Sequence, residues 1–236
     1  MKILSWNIRQ GGSKRTPLII ERIKYHSPDI VSLYEFRQNH YGDAIREKLK
    51  VSGYKYQAVS SSISIKSNCT FIASKYKFFA DQIRNNKLLS PYVITAYYDK
   101  YILLAVYVPN GNKKEKLPFW KGLFDEIDVN LNDKLIIVGD FNEYRNNSKM
   151  IGVANANGFI EKLSDLGLID AWYRINKDNI EYSWHGPQNG FLIDYAFISP
   201  PMEKYLISSF FSHQERIEKT SDHSILINEF RAHVDF

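Results

Sequence analysis

Short apolar runs alternate with polar turns along the whole chain, and the spacing inside each run decides which element it predicts. Residues 3–8 form a mostly apolar run stopped by Arg9-Gln10-Gly11-Gly12 and read as a short strand. Leu18, Ile19, Ile23 and Tyr25 then recur near helical spacing, which predicts a helix over 17–25 with Thr16 as N-cap before Pro17. Pro28-Asp29 breaks it, and residues 29–35 form a buried strand ending in the carboxylate of Glu35. Tyr41, Ile45 and Leu49 at four-residue spacing predict a helix over 40–49.

The middle of the chain is β-rich, with β-branched and aromatic runs at 54–60, 70–74, 92–98 and 101–107. Asp99-Lys100 separates the last two by a hairpin-length gap. Phe119, Leu123, Ile127 and Leu131 predict a helix over 118–131, followed by a strand at 135–138 that leads into Gly139-Asp140. A helix over 155–166 comes next, and residues 167–172 lead into further strands at 182–184, 193–198 and 224–230. Leu4-Ser5-Trp6-Asn7 and Val138-Gly139-Asp140-Phe141-Asn142 share a construction, an apolar strand before an aromatic-Asn pair, which hints at two similar sheets facing each other. No Pro/Gly/Ser-rich linker divides the chain. The expectation is one domain over residues 1–236 of the α+β class, a four-layered α/β/β/α sandwich of two mixed sheets flanked by helices.

Composition narrows the function. Lys plus Arg number 31 and Asp plus Glu 26, so the chain carries +5, a mild basic excess compatible with a polyanionic partner or with a merely solvated surface. Cys69 is the single cysteine, which excludes an internal disulfide and a cysteine zinc site. No apolar run reaches membrane-spanning length, and the opening stretch is too short for a signal peptide. The expectation is a cytoplasmic protein without membrane contact.

Several polar residues sit where strands run out. Asn7 ends the first strand, either as an Asx-turn residue before Gly11-Gly12 or with its amide in a cleft. Glu35 ends an otherwise apolar strand, where a carboxylate needs a partner: a metal ion, or neighbouring Arg37. Asp140 and Asn142 fall on one face of an extended segment and supply the hard oxygens that Mg²⁺ or Mn²⁺ prefer. Asp222-His223 precedes the last apolar strand and pairs a carboxylate with an imidazole able to act as acid, base or charge stabiliser. Asp194 lies among apolar neighbours and calls for an N–H partner, for which His223 is proposed. Tyr107 either hydrogen-bonds a phosphate oxygen or packs in a sheet, while Asn110, Lys113 and Lys114 stand where a phosphate backbone would pass or form a solvated loop.

In order along the chain, Leu4-Ser5-Trp6-Asn7, Leu33-Tyr34-Glu35, Tyr107-Val108-Pro109-Asn110, Gly139-Asp140-Phe141-Asn142, Leu192-Ile193-Asp194-Tyr195 and Ser221-Asp222-His223 resemble the endonuclease/exonuclease/phosphatase superfamily, the metal-dependent phosphodiesterases that include exonuclease III and DNase I. The resemblance implies that Asn7 and Glu35 hold Mg²⁺ (Mn²⁺ as a substitute) with Asp222 nearby. It implies that Asp140 aligns or deprotonates the attacking water, that Asn142, His223 and Tyr107 face the scissile phosphate, and that Asp194 supports His223. Three departures stand out: Tyr34-Glu35-Phe36 replaces the usual Gln-Glu-Thr, Leu192 replaces a frequent Arg, and 60–69 is Ser-rich without Gly.

The reading is a Mg²⁺-dependent phosphodiesterase, a DNA nuclease of the exonuclease III/AP endonuclease type acting as a monomer. Arg9, Arg37, Lys113 and Lys114 are the basic groups expected near its cleft, and Tyr34, Trp172 and Trp184 the aromatics able to stack on bases, although core packing suits the tryptophans better. The alternatives are a phosphatase or phosphodiesterase acting on a small or lipid-linked phosphate, and a non-catalytic nucleic-acid-binding member of the fold.

Overall fold

The apolar runs assemble into two six-stranded sheets packed face to face. The computed structural model describes residues 1–62, 64–81, 86–131, 133–145, 157–177, 179–186 and 189–231. Its strands are β1 (Lys2–Asn7), β2 (Ile30–Phe36), β3 (Tyr56–Val59), β4 (Cys69–Ser74), β5 (Phe79–Asp81), β6 (Val93–Tyr97) and β7 (Ile102–Tyr107). They continue with β8 (Leu135–Asp140), β9 (Ile169–Asp170), β10 (Trp184–His185), β11 (Gly190–Phe191), β12 (Asp194–Ile198), β13 (Leu206–Ser212) and β14 (Ile225–Phe230). The helices are α1 (Thr16–His26), α2 (His40–Val51), α3 (Lys113–Asn130), α4 (Phe159–Asp165), α5 (Ala171–Asn176), α6 (Pro200–Glu203) and α7 (Gln214–Ile217).

One sheet runs β13-β14-β1-β2-β4-β3, the other β9-β12-β8-β7-β6-β5, and β10-β11 form a small separate pair. Each large sheet contains one parallel pair, β1–β2 and β7–β8, and every other pairing is antiparallel, so the two sheets repeat one order of strand senses. A helix bridges each parallel pair, α1 in one sheet and α3 in the other, because parallel neighbours need a crossover. The sequence echo around Asn7 and Asn142 thus belongs to β1 and β8, which occupy equivalent places.

Between the sheets, Ile3, Ile30 and Ile72 meet Ile94, Leu103, Ile136 and Ala196. On one outer face Leu4, Trp6, Val31 and Leu33 pack on Ile19 and Ile23 of α1 and Ile45 and Leu49 of α2. On the other, Leu104, Ile137 and Phe197 pack on Trp120 and Leu123 of α3 and Phe159 and Leu163 of α4. The layers are therefore helix, sheet, sheet, helix. Central strands covered on both faces read as unbroken apolar runs, which is why they were visible in the sequence.

Some boundaries differ from expectation. Thr16 is the first residue of α1 rather than its cap, and its hydroxyl donates back to the Ser13 carbonyl at 2.8 Å. Helix α3 starts at Lys113, well before Pro118, because Asn112 and Glu115 close a capping box. Pro118 is tolerated inside because the carbonyl that its missing N–H would have met, that of Lys114, lies in an exposed first turn. Only Ile169–Asp170 is extended after Gly167; Asp170 then caps α5 through Tyr173 N at 3.0 Å. Strand β13 was not anticipated: its serines and its β-bulge near Leu206/Ser208 blur the alternation. Residues 155–156 of the expected helix 155–166 lie outside the described residues. Among the described residues no helix is long and apolar enough to cross a membrane.

Tyr34 and Trp172, offered above as base-stacking aromatics, lie in the core at 0% and 6% exposure. The Tyr34 hydroxyl accepts from Ser5 Oγ (3.1 Å) and Ser32 Oγ (2.9 Å) and donates across the sheets to the Val138 carbonyl (2.9 Å). Burial raises its pKa, so it stays a donor. Tyr34→Phe strands three buried polar groups, which predicts a loss of about 1–3 kcal/mol of stability, measured by urea unfolding, with an unchanged circular dichroism spectrum.

Candidate active site

Strands β1, β2, β7 and β8 deliver Asn7, Glu35, Tyr107 and Asp140 to one edge of the sandwich. Strand β12 runs against β8 and starts there, so Asp194 lies directly opposite Asp140 in the ladder, and Tyr107 flanks Asp140 on the other side. The turn before β14 brings Asp222 and His223 from the other sheet, held by Ser221 Oγ on the Asn7 carbonyl (2.7 Å) and Trp6 Nε1 on the His223 carbonyl (3.1 Å).

Glu35 interrupts its strand. Its φ is +53°, and the β2–β4 register breaks between Leu33 and Phe36, a bulge that turns the side chain out of the sheet. The loop after β1 grips it: Gly11 N donates to the Glu35 carbonyl and Gln10 N to Oε2, both at 2.7 Å. Arg9, Gln10, Gly11, Gly12 and Ser13 in that loop all have positive φ, a costly conformation for the three that are not glycine. Oε1 receives only long contacts, from Asn7 Nδ2 at 3.4 Å and Tyr107 Oη at 3.3 Å. Arg37, the alternative partner, instead donates to Asn68 Oδ1 at 2.8 Å.

Asn7 is buried, closes the Asx-turn of the first reading, and sends its amide to Asp140 rather than into the cleft itself. Its Oδ1 accepts from Arg9 N at 2.8 Å, closing an Asx-turn, while its Nδ2 donates to Asp140 Oδ2 at 2.7 Å beneath the cleft. Asp140 Oδ1 accepts from Asn142 N at 2.9 Å, and Asn142, itself at φ +46°, donates Nδ2 to the Val108 carbonyl at 2.8 Å.

His223 lies between two carboxylates, with Nδ1 2.8 Å from Asp194 Oδ2 and Nε2 3.9 Å from Asp140 Oδ2. Burial by itself disfavours the imidazolium, but the charges of Asp194 and Asp140 outweigh it and push His223 up to about 10. Burial pushes Asp140 up to about 7, against the pull of the His223 charge. Burial, with the charges of Glu35 and Asp140, raises the Tyr107 phenol, which therefore remains a donor.

These groups line a cleft of about 330 Å³: Glu35, Tyr107, Asn110, Asp140, Asn142, Asp222 and His223 form its polar part. Tyr144, Trp184, Phe191 and Ile193 form an aromatic and apolar wall, with Phe191 stacked against both Tyr144 (5.3 Å) and Trp184 (5.9 Å). Asp222 accepts from Trp184 Nε1 at 3.3 Å and is 3.7 Å from Arg9 Nε. Of the expected substrate-binding residues, Asn110 lies in the lining and Arg9 reaches Asp222, whereas Arg37 and Lys113 are not part of it.

The donor chemistry fits a hard divalent cation. Ligand atoms of Asp140, Asp194 and His223 lie within 4.8 Å of one another, but the imidazole is already sandwiched by carboxylates that favour its proton. Glu35, whose Oε1 holds only long contacts, and Asp222 offer oxygens to the same cleft.

A family model described as the endonuclease/exonuclease/phosphatase family matches residues 4–223. The chain belongs to this family. No protein of curated function matches it by sequence. Among solved structures it is similar to the 3′ phosphatase NExo from Neisseria bound to a product DNA hairpin, with 22% identity and a TM-score of 0.80 over 98% of this chain and 99% of that one. An AP endonuclease from Archaeoglobus fulgidus is similar at 18% identity and a TM-score of 0.81, over 98% and 100% of the two chains. A 3′-5′ exonuclease from Neisseria meningitidis gives 22% identity and a TM-score of 0.80, over 98% and 99%. At these identities the likeness establishes the DNase I-like fold of the family.

Reading the sequence missed Phe191, Tyr144 and Lys116. Trp184, offered as a base-stacking aromatic with core packing as the better fit, stands in the cleft wall, in the polar setting Ser183-Trp184-His185-Gly186. Phe191 and Tyr144 carry no signal of that place. Lys116 is buried on α3, where its Nζ donates to the Asn142 carbonyl and, at 2.8 Å, to Glu143 Oε1. Lys116→Met leaves Glu143 buried without its cation and frees the Asn142 turn. This predicts a loss of about 3–5 kcal/mol by thermal and urea unfolding, with kcat lowered more than KM is changed where the variant stays folded.

Proposed function

We propose that the protein is a Mg²⁺-dependent phosphodiesterase acting on DNA, with the chemistry in the cleft between Glu35, Asp140 and His223. The observation that carries this reading is the His223 imidazole held between Asp194 and Asp140 beside Glu35 and Asp222. Asp140 accepts the proton of the attacking water, and its ligands Asn7 and Asn142 keep its oxygens aimed. Water adds in line to phosphorus as the P–O bond opposite breaks. The imidazolium of His223 and the phenol of Tyr107 donate to the phosphoryl oxygens, where charge accumulates, and Asn142 lines the cleft beside them. Asp194 keeps His223 oriented and charged. Glu35 and Asp222, with the Asn7 amide oxygen beside them, are the residues that would hold Mg²⁺ or Mn²⁺. The bound cation supplies Lewis-acid stabilisation of phosphoryl charge.

DNA is favoured as the polyanion by the +5 charge and by structural neighbours described as an AP endonuclease, an exonuclease and a phosphatase bound to product DNA. A second reading, removal of terminal phosphates, is favoured by the neighbour described as a 3′ phosphatase. Incubation with Mg²⁺ against plasmid, abasic duplex, single strands, 3′-phosphorylated ends and small phosphate esters separates them. Turnover of small esters alone sinks the nuclease reading.

Asp140→Asn, Glu35→Ala and His223→Ala are each expected to lower kcat by about 10²–10⁴-fold without changing the circular dichroism spectrum. Chelation by EDTA should abolish turnover, and added Mg²⁺ or Mn²⁺ should restore it. Asp140 works ionised and His223 protonated, so kcat/KM should rise with pH through Asp140 near 7 and fall as His223 loses its proton near 10. A profile flat from pH 6 to 8 contradicts the role of Asp140.

A further inference from the structure

The end of the sandwich away from the cleft carries a second cavity of about 330 Å³, lined by Tyr56, Tyr76, Tyr98 and Tyr101 and by Lys75, Lys77 and Lys100, with Asp99 as the single carboxylate. Its position follows from the registers. Tyr56 and Ile30 both pair with Ser74, and Tyr97 pairs with Ile102 at the start of β7, the strand whose other end is Tyr107. Five residues of strand rise separate the two ends, on the order of 17 Å. The cavity therefore plays no part in the chemistry of the cleft.

Three properties of the wall point to its occupant. It contains a rigid aromatic base: Tyr98 and Tyr101 stack at 4.5 Å with 13° between their planes, and Phe78 lies 5.3 Å from Tyr98. It also presents an unstacked ring, since Tyr56 is 37% exposed and packs on no other aromatic ring among the described residues. Its cations outnumber its anions. Lys75 is held 3.4 Å from Asp29, with its ammonium 5.4 Å from the Tyr54 ring, and Lys100 is a loose 3.9 Å from Asp99. Lys77 is exposed and pairs with no carboxylate among the described residues. An apolar ligand would leave Lys77 unpaired and Lys100 with only its loose contact to Asp99, and a simple phosphate would leave the rings uncovered. A ligand that satisfies both has a flat aromatic body and a phosphate within a few ångströms of it.

We propose that this cavity is a second binding site for a nucleotide unit, with Tyr56 stacking on the base and Lys77 and Lys100 taking the phosphate. The unit is either a free mononucleotide or one residue of a single strand. The proposal stands apart from the catalytic reading, because neither site uses a residue of the other.

The test uses the full chain carrying Asp140→Asn, so that nothing is hydrolysed, and calorimetric titration in EDTA with dAMP and with a ten-residue oligothymidylate. Lys77→Glu with Lys100→Glu, and separately Tyr56→Ala, should weaken binding at least tenfold. In the catalytically intact chain the same substitutions should leave turnover of bis-p-nitrophenyl phosphate unchanged. Loss for dAMP assigns the site to the free nucleotide, and loss for the oligonucleotide alone assigns it to the strand. Unchanged affinity for both ligands in the lysine variant overturns the proposal. So does binding that the lysine variant keeps but Glu35→Ala removes, because all of it then belongs to the catalytic cleft.

Discussion

Asp140 and Asp194 face each other across an antiparallel ladder, buried to 1% exposure each, in a place where two like charges would drive the strands apart. With both carboxylates ionised the pair calls for a cation between them, and the His223 imidazolium, carried on the other sheet's last strand connection, fills that place. The constraint ties the two halves of the sandwich together at the edge where chemistry is placed. Much else serves it. Ser221 and Trp6 fix the turn that presents the imidazole, Asn7 donates from β1 to Asp140, and Tyr34 joins the sheets just beneath. Removing the imidazole would leave two carboxylates in low dielectric, of which at least one must take up a proton.

The same edge concentrates unfavourable backbone. Glu35 and Asn142 adopt positive φ, as do Arg9, Gln10 and Ser13 in the loop that hydrogen-bonds Glu35. Such conformations persist where the surroundings over-determine them, and here backbone N–H groups and the buried Lys116 do so. The bulge at Glu35 has a plain function: a regular strand would alternate its side chain into a sheet face, whereas the break aims it at the cleft. At the far end of the sandwich none of the residues lining the tyrosine-lysine cavity has a positive φ.

Legibility in the sequence followed burial. Strands covered on both faces, such as β1, β7 and β8, appear as continuous apolar runs, and the polar residues that end them (Asn7, Tyr107, Asp140) stand out against that background. Edge strand β13 and the two-residue β9 and β11 have neither run nor period to betray them. Tyr34 shows the limit from the other side. It was offered as a base-stacking aromatic, yet its hydroxyl is satisfied by Ser5, Ser32 and Val138, two of which are remote in sequence.

By itself the sequence determined the layered class, the order of the principal elements, the family motifs and the residue types at the strand ends, because local periodicity and a polar residue after an apolar run are written within a few positions. Only the tertiary structure decided which of those residues meet. It placed Asp194 against His223 and Asn110 in the cleft, kept Arg37 and Lys113 out of it, put Trp184 in its wall, and gathered four tyrosines with three lysines at the opposite end. The physical reason is register: a side chain's partner is set by which strand lies beside it and at which residue, and that is a property of the assembled sheets.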